Sequence, residues 1–290
     1  MRVTVIGLGL IGGSIALDLK SRGFAHEVVG VEASFSHAEK ALELGLVDSV
    51  EPLETATGIS DLVILAVPVG SILNLLPEVL RYAKPMTTVT DMGSTKQRIC
   101  EAVASHPKRA QYVASHPIAG TENSGPLAAL PGLFDGKTAV LCERAKSGFP
   151  HLRRIEEMFG VLQMRMISMS AEEHDLHTAY ISHLSHISSF VLASTVLAQE
   201  KNTRTIFDLA GGGFESTVRL AKSSPEMWAP IFEQNRSNVT SALEAYILHL
   251  QEFHRTLIEC EIESTRKLME DAVRIRPILE TIGTRTRSPK

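Results

Sequence analysis

Val3-Thr4-Val5-Ile6-Gly7-Leu8-Gly9-Leu10-Ile11-Gly12 decides the fold: a β-branched run leads into G-x-G-x-x-G, and Ser14 to Ser21 continues with helical period. Each glycine has a separate reason to be there. Gly7 permits the tight turn, Gly9 lets the backbone come close to a pyrophosphate, and Gly12 brings helix and strand together, so that the helix N-terminus faces an anion. A bare glycine pattern is weak, but this one lies on the first strand, opens a helix, and is followed twenty residues past Gly12 by Glu32 at the end of the next strand. A carboxylate there accepts hydrogen bonds from both ribose hydroxyls and repels a 2'-phosphate, which favours NAD over NADP. The expected cofactor contacts are Gly7, Leu8, Gly9, Leu10, Ile11, Gly12 and Glu32. Val67 and Pro68 join them, because ligands of such folds bind at the carboxyl ends of the strands; a plain strand terminus is the alternative for that pair.

Working outward, Val28 to Val31, Leu62 to Val67, Thr87 to Thr90, Tyr112 to Ala114 and Ala139 to Leu141 read as further strands separated by helical segments. That alternation predicts an α/β fold, a doubly wound Rossmann-type domain with a mainly parallel sheet over residues 1–167. From 168 the strand pattern disappears. Ala171 to Gln199, Pro225 to Phe253 and Ile258 to Glu280 recur at three- and four-residue spacing, which predicts an all-helical C-terminal domain over 168–283. Ser224-Pro225-Glu226 is a helix start, with a capping hydroxyl, a proline in the first turn and an acid near the positive end of the dipole. Ile181 to Leu197 is apolar almost all round, the mark of a helix buried at a domain seam or subunit contact; a homodimer built on the helical domain is expected. Residues 284–290 carry three positive charges and read as a frayed, disordered tail.

The 290 residues hold 29 basic and 33 acidic side chains, a net charge of -4, with 44% hydrophobic residues. That excludes a disordered or fibrous chain, and the absence of a basic stripe argues against nucleic acid. The longest apolar stretches, such as Leu62 to Val69, fall short of the roughly 18 to 20 residues that cross a bilayer, and Met1 to Lys20 lacks a cleavage site for a signal peptide. Cys100, Cys142 and Cys260 are odd in number and far apart, which fits buried reduced thiols rather than disulfides or zinc. A cytoplasmic protein is expected, with neither membrane nor nucleic acid as a partner.

A bound nicotinamide implies hydride transfer, and oxidation of an alcohol also needs a base for the hydroxyl proton. Of eleven histidines, His116 follows a strand, precedes Pro117 and opens the loop Ala119-Gly120-Thr121-Glu122-Asn123-Ser124-Gly125. His106 also precedes a proline but sits beside Lys108 and Arg109, where it reads as a surface cap. Taken alone, either could be a satisfied structural residue. His183 and His186 lie on a helix with Asp175 upstream; eleven residues at about 100° each give about 1,100°, three turns plus about 20°, so Asp175 and His186 share a face and His183 is turned about 60° away. No H-E-x-x-H or thiolate set accompanies them, so no metal is expected.

His116-Pro117-Ile118-Ala119-Gly120-Thr121-Glu122, preceded by Asp91-Met92-Gly93-Ser94-Thr95-Lys96 and followed by Ser182-His183-Leu184-Ser185-His186, Gly211-Gly212-Gly213-Phe214, Arg219 and Trp228, resembles the prephenate dehydrogenase family, in order from the first strand to about Phe253. The resemblance implies NAD-dependent oxidative decarboxylation of prephenate to 4-hydroxyphenylpyruvate, a step of tyrosine biosynthesis. It implies that His116 takes the hydroxyl proton, that Ser94 assists at that hydroxyl, and that Arg219 clamps a carboxylate. It also places His186 near the substrate side chain, Ser223 and Trp228 at the pocket, and Thr121 and Glu122 on the His116 loop as further substrate contacts. Glu215 departs from the basic residue found there in some members; four residues before Arg219, it is placed to divert the guanidinium into a helix-surface pair. His174, His177 and His183 receive no role. Arogenate dehydrogenase differs only in an amino group on the substrate, and a β-hydroxyacid dehydrogenase leaves His116 without a function. A non-catalytic NAD-binding sensor accounts for the glycines but not for Ser94, His116 and Arg219 together.

Overall fold

The structure, a computed structural model, describes residues 1–203 and 205–285. β1 (Arg2–Ile6) feeds the glycine turn that opens α1 (Leu10–Ser21). The chain then alternates through β2 (Glu27–Val31), α2 (Phe35–Glu43), β3 (Ser49–Val50), α3 (Leu53–Ile59), β4 (Leu62–Leu65), α4 (Val69–Tyr82), β5 (Thr88–Asp91) and α5 (Gln97–Ala102). It continues with β6 (Tyr112–Ile118), β7 (Thr138–Cys142), α6 (Phe149–Val161) and β8 (Arg165–Met169). The eight strands form one sheet in the order β3-β2-β1-β4-β5-β6-β7-β8, and every pairing is parallel except β6 with β7. All four residues of β4 are buried, as a parallel strand covered on both faces requires. Its side chains divide by the two-residue period: Leu62 and Ile64 join the core with α1 and α6, Val63 and Leu65 the core with α4 and α5.

The strand order reverses between β1 and β4, the crevice where ligands of open α/β sheets bind. Four elements end on that edge: β1 at Gly7, β2 at Glu32, β4 before Val67 and β5 before Ser94. β6 runs parallel to β5 with Ala114 opposite Asp91, which brings His116 to the same edge. Three details differ from the sequence reading. β4 stops at Leu65, so Val67 and Pro68 lie in the turn beyond, with Pro68 the N-cap of α4. His116 lies inside β6 rather than after it, because β6 extends along its antiparallel neighbour β7 to Ile118. β3 and β8 carry no strand signal: the first is two residues long, and β8 is a half-exposed edge without a β-branched run.

β8 ends at Met169, two residues past 167, and the helical lobe follows. α7 (Ala171–Thr178) starts on a capping box between Ser170 and Glu173. A π-helical turn over Ala179–His183 joins it to α8 (Leu184–Thr203). Then come α9 (Gly212–Val218), α10 (Pro225–Gln234), α11 (Arg236–Ile258), α12 (Ile262–Val273) and α13 (Arg276–Arg285). The helix expected from Pro225 to Phe253 is broken at Asn235, whose buried amide donates to the carbonyl of Asp175 (2.6 Å). The one expected from Ile258 to Glu280 is also two, and Ile258 ends α11 rather than starting a helix. α13 carries the chain through Arg285, and the rest of the expected tail, 286–290, lies outside the described residues.

The apolar segment expected to be buried is not covered within one chain: Ile181 is 79% and Leu197 54% exposed, and Leu248 on α11 is 65% exposed. Contrary to the sequence reading, the continuous helical stretch 171–201 is long and apolar enough to cross a membrane by length and composition. Cys100 and Cys142 are buried free thiols, whereas Cys260 is exposed, at the turn that ends α11.

Candidate active site

The glycine turn has the geometry that its sequence implies. Gly7 sits at φ +90°, and a Cβ on it would lie 2.7 Å from the Ala66 carbonyl oxygen and from Val67 Cγ1. A Cβ on Gly12 would lie 1.9 Å from the Gly7 carbonyl oxygen, so strand and helix meet there with no room for a side chain. Gly9 is different: a Cβ on it would have only Gly125 N, 4.0 Å away, as a neighbour. The first turn of α1 has no acidic residue and no side-chain cap, which leaves its N–H groups and the positive dipole end facing that open space. These residues fit a pyrophosphate. Leu8 and Leu10 are buried beneath the turn and Ile11 is half-buried. Glu32 closes the site by accepting from Leu8 N through Oε2 (2.9 Å) and from Ser34 N through Oε1 (3.0 Å). Its lone pairs toward the crevice remain available to hydroxyl donors.

Beyond β5 the chain is held by a buried polar knot. Lys96 Nζ pairs with Asp91 Oδ2, both side chains being fully buried, and Gly93 N donates to the same oxygen (2.9 Å). Tyr112 O–H donates to Asp91 Oδ1 (2.7 Å), and the Ser115 hydroxyl donates to the Asp91 carbonyl (2.8 Å). A buried ion pair persists only when its remaining lone pairs are satisfied in this way. The knot fixes the turn that carries half-buried Ser94 beside the strand that carries His116.

His116 Nδ1 lies 2.8 Å from His174 Nε2, and His174 Nδ1 lies 2.7 Å from Asp175 Oδ1. Asp175 reaches across from α7 to the start of α5, accepting from Lys96 N (2.7 Å) and Gln97 N (2.9 Å). Burial pushes the pKa of His116 well below the usual imidazole range, and the neighbouring His174, Lys96 and His183 push the same way. Burial also lowers His174, partly opposed by its hydrogen bond to Asp175. Both rings are therefore neutral near pH 7.

The π-helical turn overturns the expected helix faces. Its i→i+5 bonding fits an extra residue into one turn, so phases counted at 100° per residue slip between Asp175 and His186. His183, not His186, comes to the Asp175 side: it is fully buried, its Nδ1 3.2 Å from Asn235 Nδ2, and burial pushes its pKa down to about 4. His186 instead stacks on Trp228, ring centroids 3.6 Å apart, with its pKa lowered by burial and by the charge of Arg219. Trp228 and Ser223 are buried next to this layer. Arg219 pairs with Glu122 (3.1 Å) and not with Glu215, so the alternative left open by the sequence, a diversion of the guanidinium by Glu215, is not what the structure shows. Thr121 is exposed on the His116 loop, its hydroxyl accepting from Asn123 N (3.2 Å). His106 is the cap that it reads as, its Nδ1 accepting from Lys108 N, and His177 is exposed away from the cluster.

Sequence reasoning gave no part to Asp91, Lys96, Tyr112, His174 or Asn235. The S-T-K spacing after β5 carries a signal for Lys96, since a lysine inside an otherwise buried turn needs an anion. His174, 58 residues from His116, had none.

A dinucleotide crevice, an imidazole on its edge and a cation on a helical lobe define a two-lobed nicotinamide dehydrogenase. Residues 15–168 match the family model for the nucleotide-binding domain of prephenate dehydrogenase, and 170–271 the model for its dimerization domain. The chain belongs to the prephenate dehydrogenase family. It is 32% identical to prephenate dehydrogenase of Bacillus subtilis over 266 residues, which cover 89% of this chain and 70% of that protein. Among solved structures it is similar to prephenate dehydrogenase from A. aeolicus in complex with hydroxyphenyl propionate and NAD+ (29% identity, TM-score 0.85, 96% of this chain and 98% of that one). It is also similar to Synechocystis arogenate dehydrogenase (27% identity, TM-score 0.76, 96% of this chain and 100% of that one).

Proposed function

We propose that this chain is an NAD-dependent oxidoreductase that converts prephenate to 4-hydroxyphenylpyruvate and carbon dioxide. The observation that carries the reading is His116, a neutral imidazole on the sheet edge that also holds the Gly7–Gly12 turn and Ser94. Bound NAD supplies the hydride acceptor, and the remaining work belongs to side chains. His116 accepts the ring hydroxyl proton, a role typically worth about 10²- to 10⁴-fold in rate, and Ser94 hydrogen-bonds the same hydroxyl. Once the ring carbon is oxidised, loss of the ring carboxylate completes an aromatic ring, so decarboxylation needs little help. Arg219 binds a substrate carboxylate, with a bidentate fork that lysine cannot reproduce. His186, Trp228, Ser223, Thr121 and Glu122 line the rest of the pocket. Gly7 to Gly12 hold the pyrophosphate, Glu32 the ribose, and Val67 and Pro68 border the cofactor.

The domain extents in this reading are 1–167 for the nucleotide-binding domain and 168–283 for the helical one, and the enzyme works in the cytoplasm. Its working form is a homodimer through the helical lobe, as the apolar surface of α8 and α11 and the match to a dimerization domain suggest. The test is the rise of NADH absorbance with purified protein, NAD and prephenate, repeated with arogenate and with NADP. Turnover with prephenate and NAD above the other three combinations is expected. A preference for arogenate would move the assignment to the related dehydrogenase, and silence with all four would leave a nucleotide-binding sensor.

A further inference from the structure

His174 and Asp175 lie one step behind the base, and their hydrogen bonds determine which nitrogen of His116 is free. Asp175 accepts a backbone N–H on each oxygen, from Lys96 on Oδ1 and from Gln97 on Oδ2, so its carboxylate is acceptor-only at this site. His174 Nδ1, 2.7 Å from Oδ1, must then be the donor. A neutral imidazole protonated on Nδ1 has a bare Nε2. His174 Nε2 faces His116 Nδ1 at 2.8 Å, and the two rings meet edge to face, 5.1 Å between centroids. With a lone pair on His174, the hydrogen in this bond belongs to His116. We propose that His174, held by Asp175, is a positioning residue that fixes the proton of His116 on Nδ1 and keeps Nε2 bare as the proton acceptor. Its catalytic consequence rests on the dehydrogenase reading above.

The arrangement matters at the moment of transfer. The substrate O–H bond breaks, an Nε2–H bond forms on His116, and the oxygen's electron pair becomes the second bond of the carbonyl as hydride leaves the same carbon for NAD. His116 is then a cation in a buried site, and its Nδ1–H points through His174 to the carboxylate of Asp175. A tautomer with the hydrogen on Nε2 could not accept that proton, however well placed the ring. Asp175 also anchors the seam, because the amides it accepts belong to the sheet lobe while it sits on α7. The base is therefore assembled from both lobes.

The direct test is nitrogen NMR of the substrate-free protein with labelled histidine, the His116 signals being identified by their loss in His116→Asn. Wild-type protein should show His116 with Nδ1 protonated and Nε2 bare; the opposite tautomer would overturn the proposal. His174→Phe keeps a ring but offers no acceptor. It should lose the fixed tautomer and lower kcat by about 10-fold or more, within the range that a general base supplies, with the KM values for prephenate and NAD changed less than about twofold. His174→Gln can still accept from His116 and donate to Asp175, and should recover part of that loss. Wild-type kcat in His174→Phe would overturn the proposal even with the tautomer as expected. If His174→Phe does not fold, the wild-type spectrum and His174→Gln still decide. An inactive wild-type protein would sink the functional reading, whereas the tautomer is measured without substrate and stands or falls separately.

Discussion

Lys96 and Arg219 are both cations at the cleft, each paired with one carboxylate, yet their surroundings are opposite. Lys96 and Asp91 are both fully buried, and the aspartate takes further bonds from Tyr112 and Gly93. Arg219 is 50% exposed and shares a single bond with Glu122 on a loop. The same contrast runs through the two lobes. The sheet lobe has two apolar cores, one on each face, the second of them closed by Ala171, Trp228 and Ile231 of the helical lobe. The core of the helical lobe that lies clear of the sheet is small, Ala179, Val239 and Ala242, and much of its apolar surface on α8 and α11 is open. The strand that carries the base is thus set in a well-packed sheet, while Arg219, assigned to a substrate carboxylate, sits on a lobe that is finished by other contacts.

If that contrast is right, the largest effect follows from breaking the buried pair. Lys96→Met leaves the Asp91 carboxylate buried without its counter-charge, which costs about 3–5 kcal/mol. The urea midpoint should fall accordingly, and Asp91→Asn in the same chain should restore much of it by removing the stranded charge. A midpoint unchanged in Lys96→Met would mean that the knot is not the scaffold described here.

The complementary prediction concerns the open lobe. Ile181→Glu with Leu248→Glu places two charges on apolar surface that one chain leaves exposed. A burial penalty arises only if a second chain covers these positions. Sedimentation should show wild-type dimer and variant monomer, with the circular dichroism of the sheet lobe retained. A variant that remains dimeric would place the interface elsewhere.

Acid should weaken the seam before the sheet. His116, His174, His183 and His186 all have folded pKa values below the ordinary imidazole value of 6.5, each chiefly through burial. The unfolded chain therefore binds more protons in this range, and stability rises with pH. Each such group contributes its full share above pH 6.5 and loses it as pH falls through its folded pKa; for His183 that pKa is about 4, a loss of about 1.4 kcal/mol per pH unit within the window. Urea midpoints at pH 7 and 5.5 should differ, and His183→Phe should flatten that difference while leaving the Lys96 effect intact.

How much of this could be read from the chain depends on the range of the interactions. The Gly7–Gly12 turn, Glu32 and the Ser224 cap are local patterns, in which neighbours in sequence are neighbours in space, and they stood where they were read. The motif around His116 was legible too, although β6 ran further than its β-branched residues indicated. What escaped notice depends on distant partners. Asn235 breaks a continuous helical pattern because its amide is tied to Asp175, 60 residues away. The π-turn at Ala179–His183 has no propensity signature, yet it exchanges the sides on which His183 and His186 lie. His174 could not be distinguished from His177 by composition or spacing; only the fold puts one against His116 and the other in solvent.

The smallest effect tests the exposed cation. Glu122 is an exposed-loop carboxylate whose pKa is lowered first by its own backbone amide and then by Arg219, and such a pair is screened by salt. Substrate carboxylate and Glu122 compete for one guanidinium, whose planar fork can serve either bidentately but not both. Glu122→Gln removes the competing charge without shortening the side chain. The KM for prephenate should then fall by a few-fold, kcat should hold within about twofold, and stability should not change, because surface pairs contribute little. Raised ionic strength should weaken the Arg219–Glu122 pair and so narrow the KM difference between the two proteins. If Glu122→Gln instead raises KM, the carboxylate holds Arg219 in its binding position rather than away from it, and the helical lobe is more firmly built than its exposure suggests.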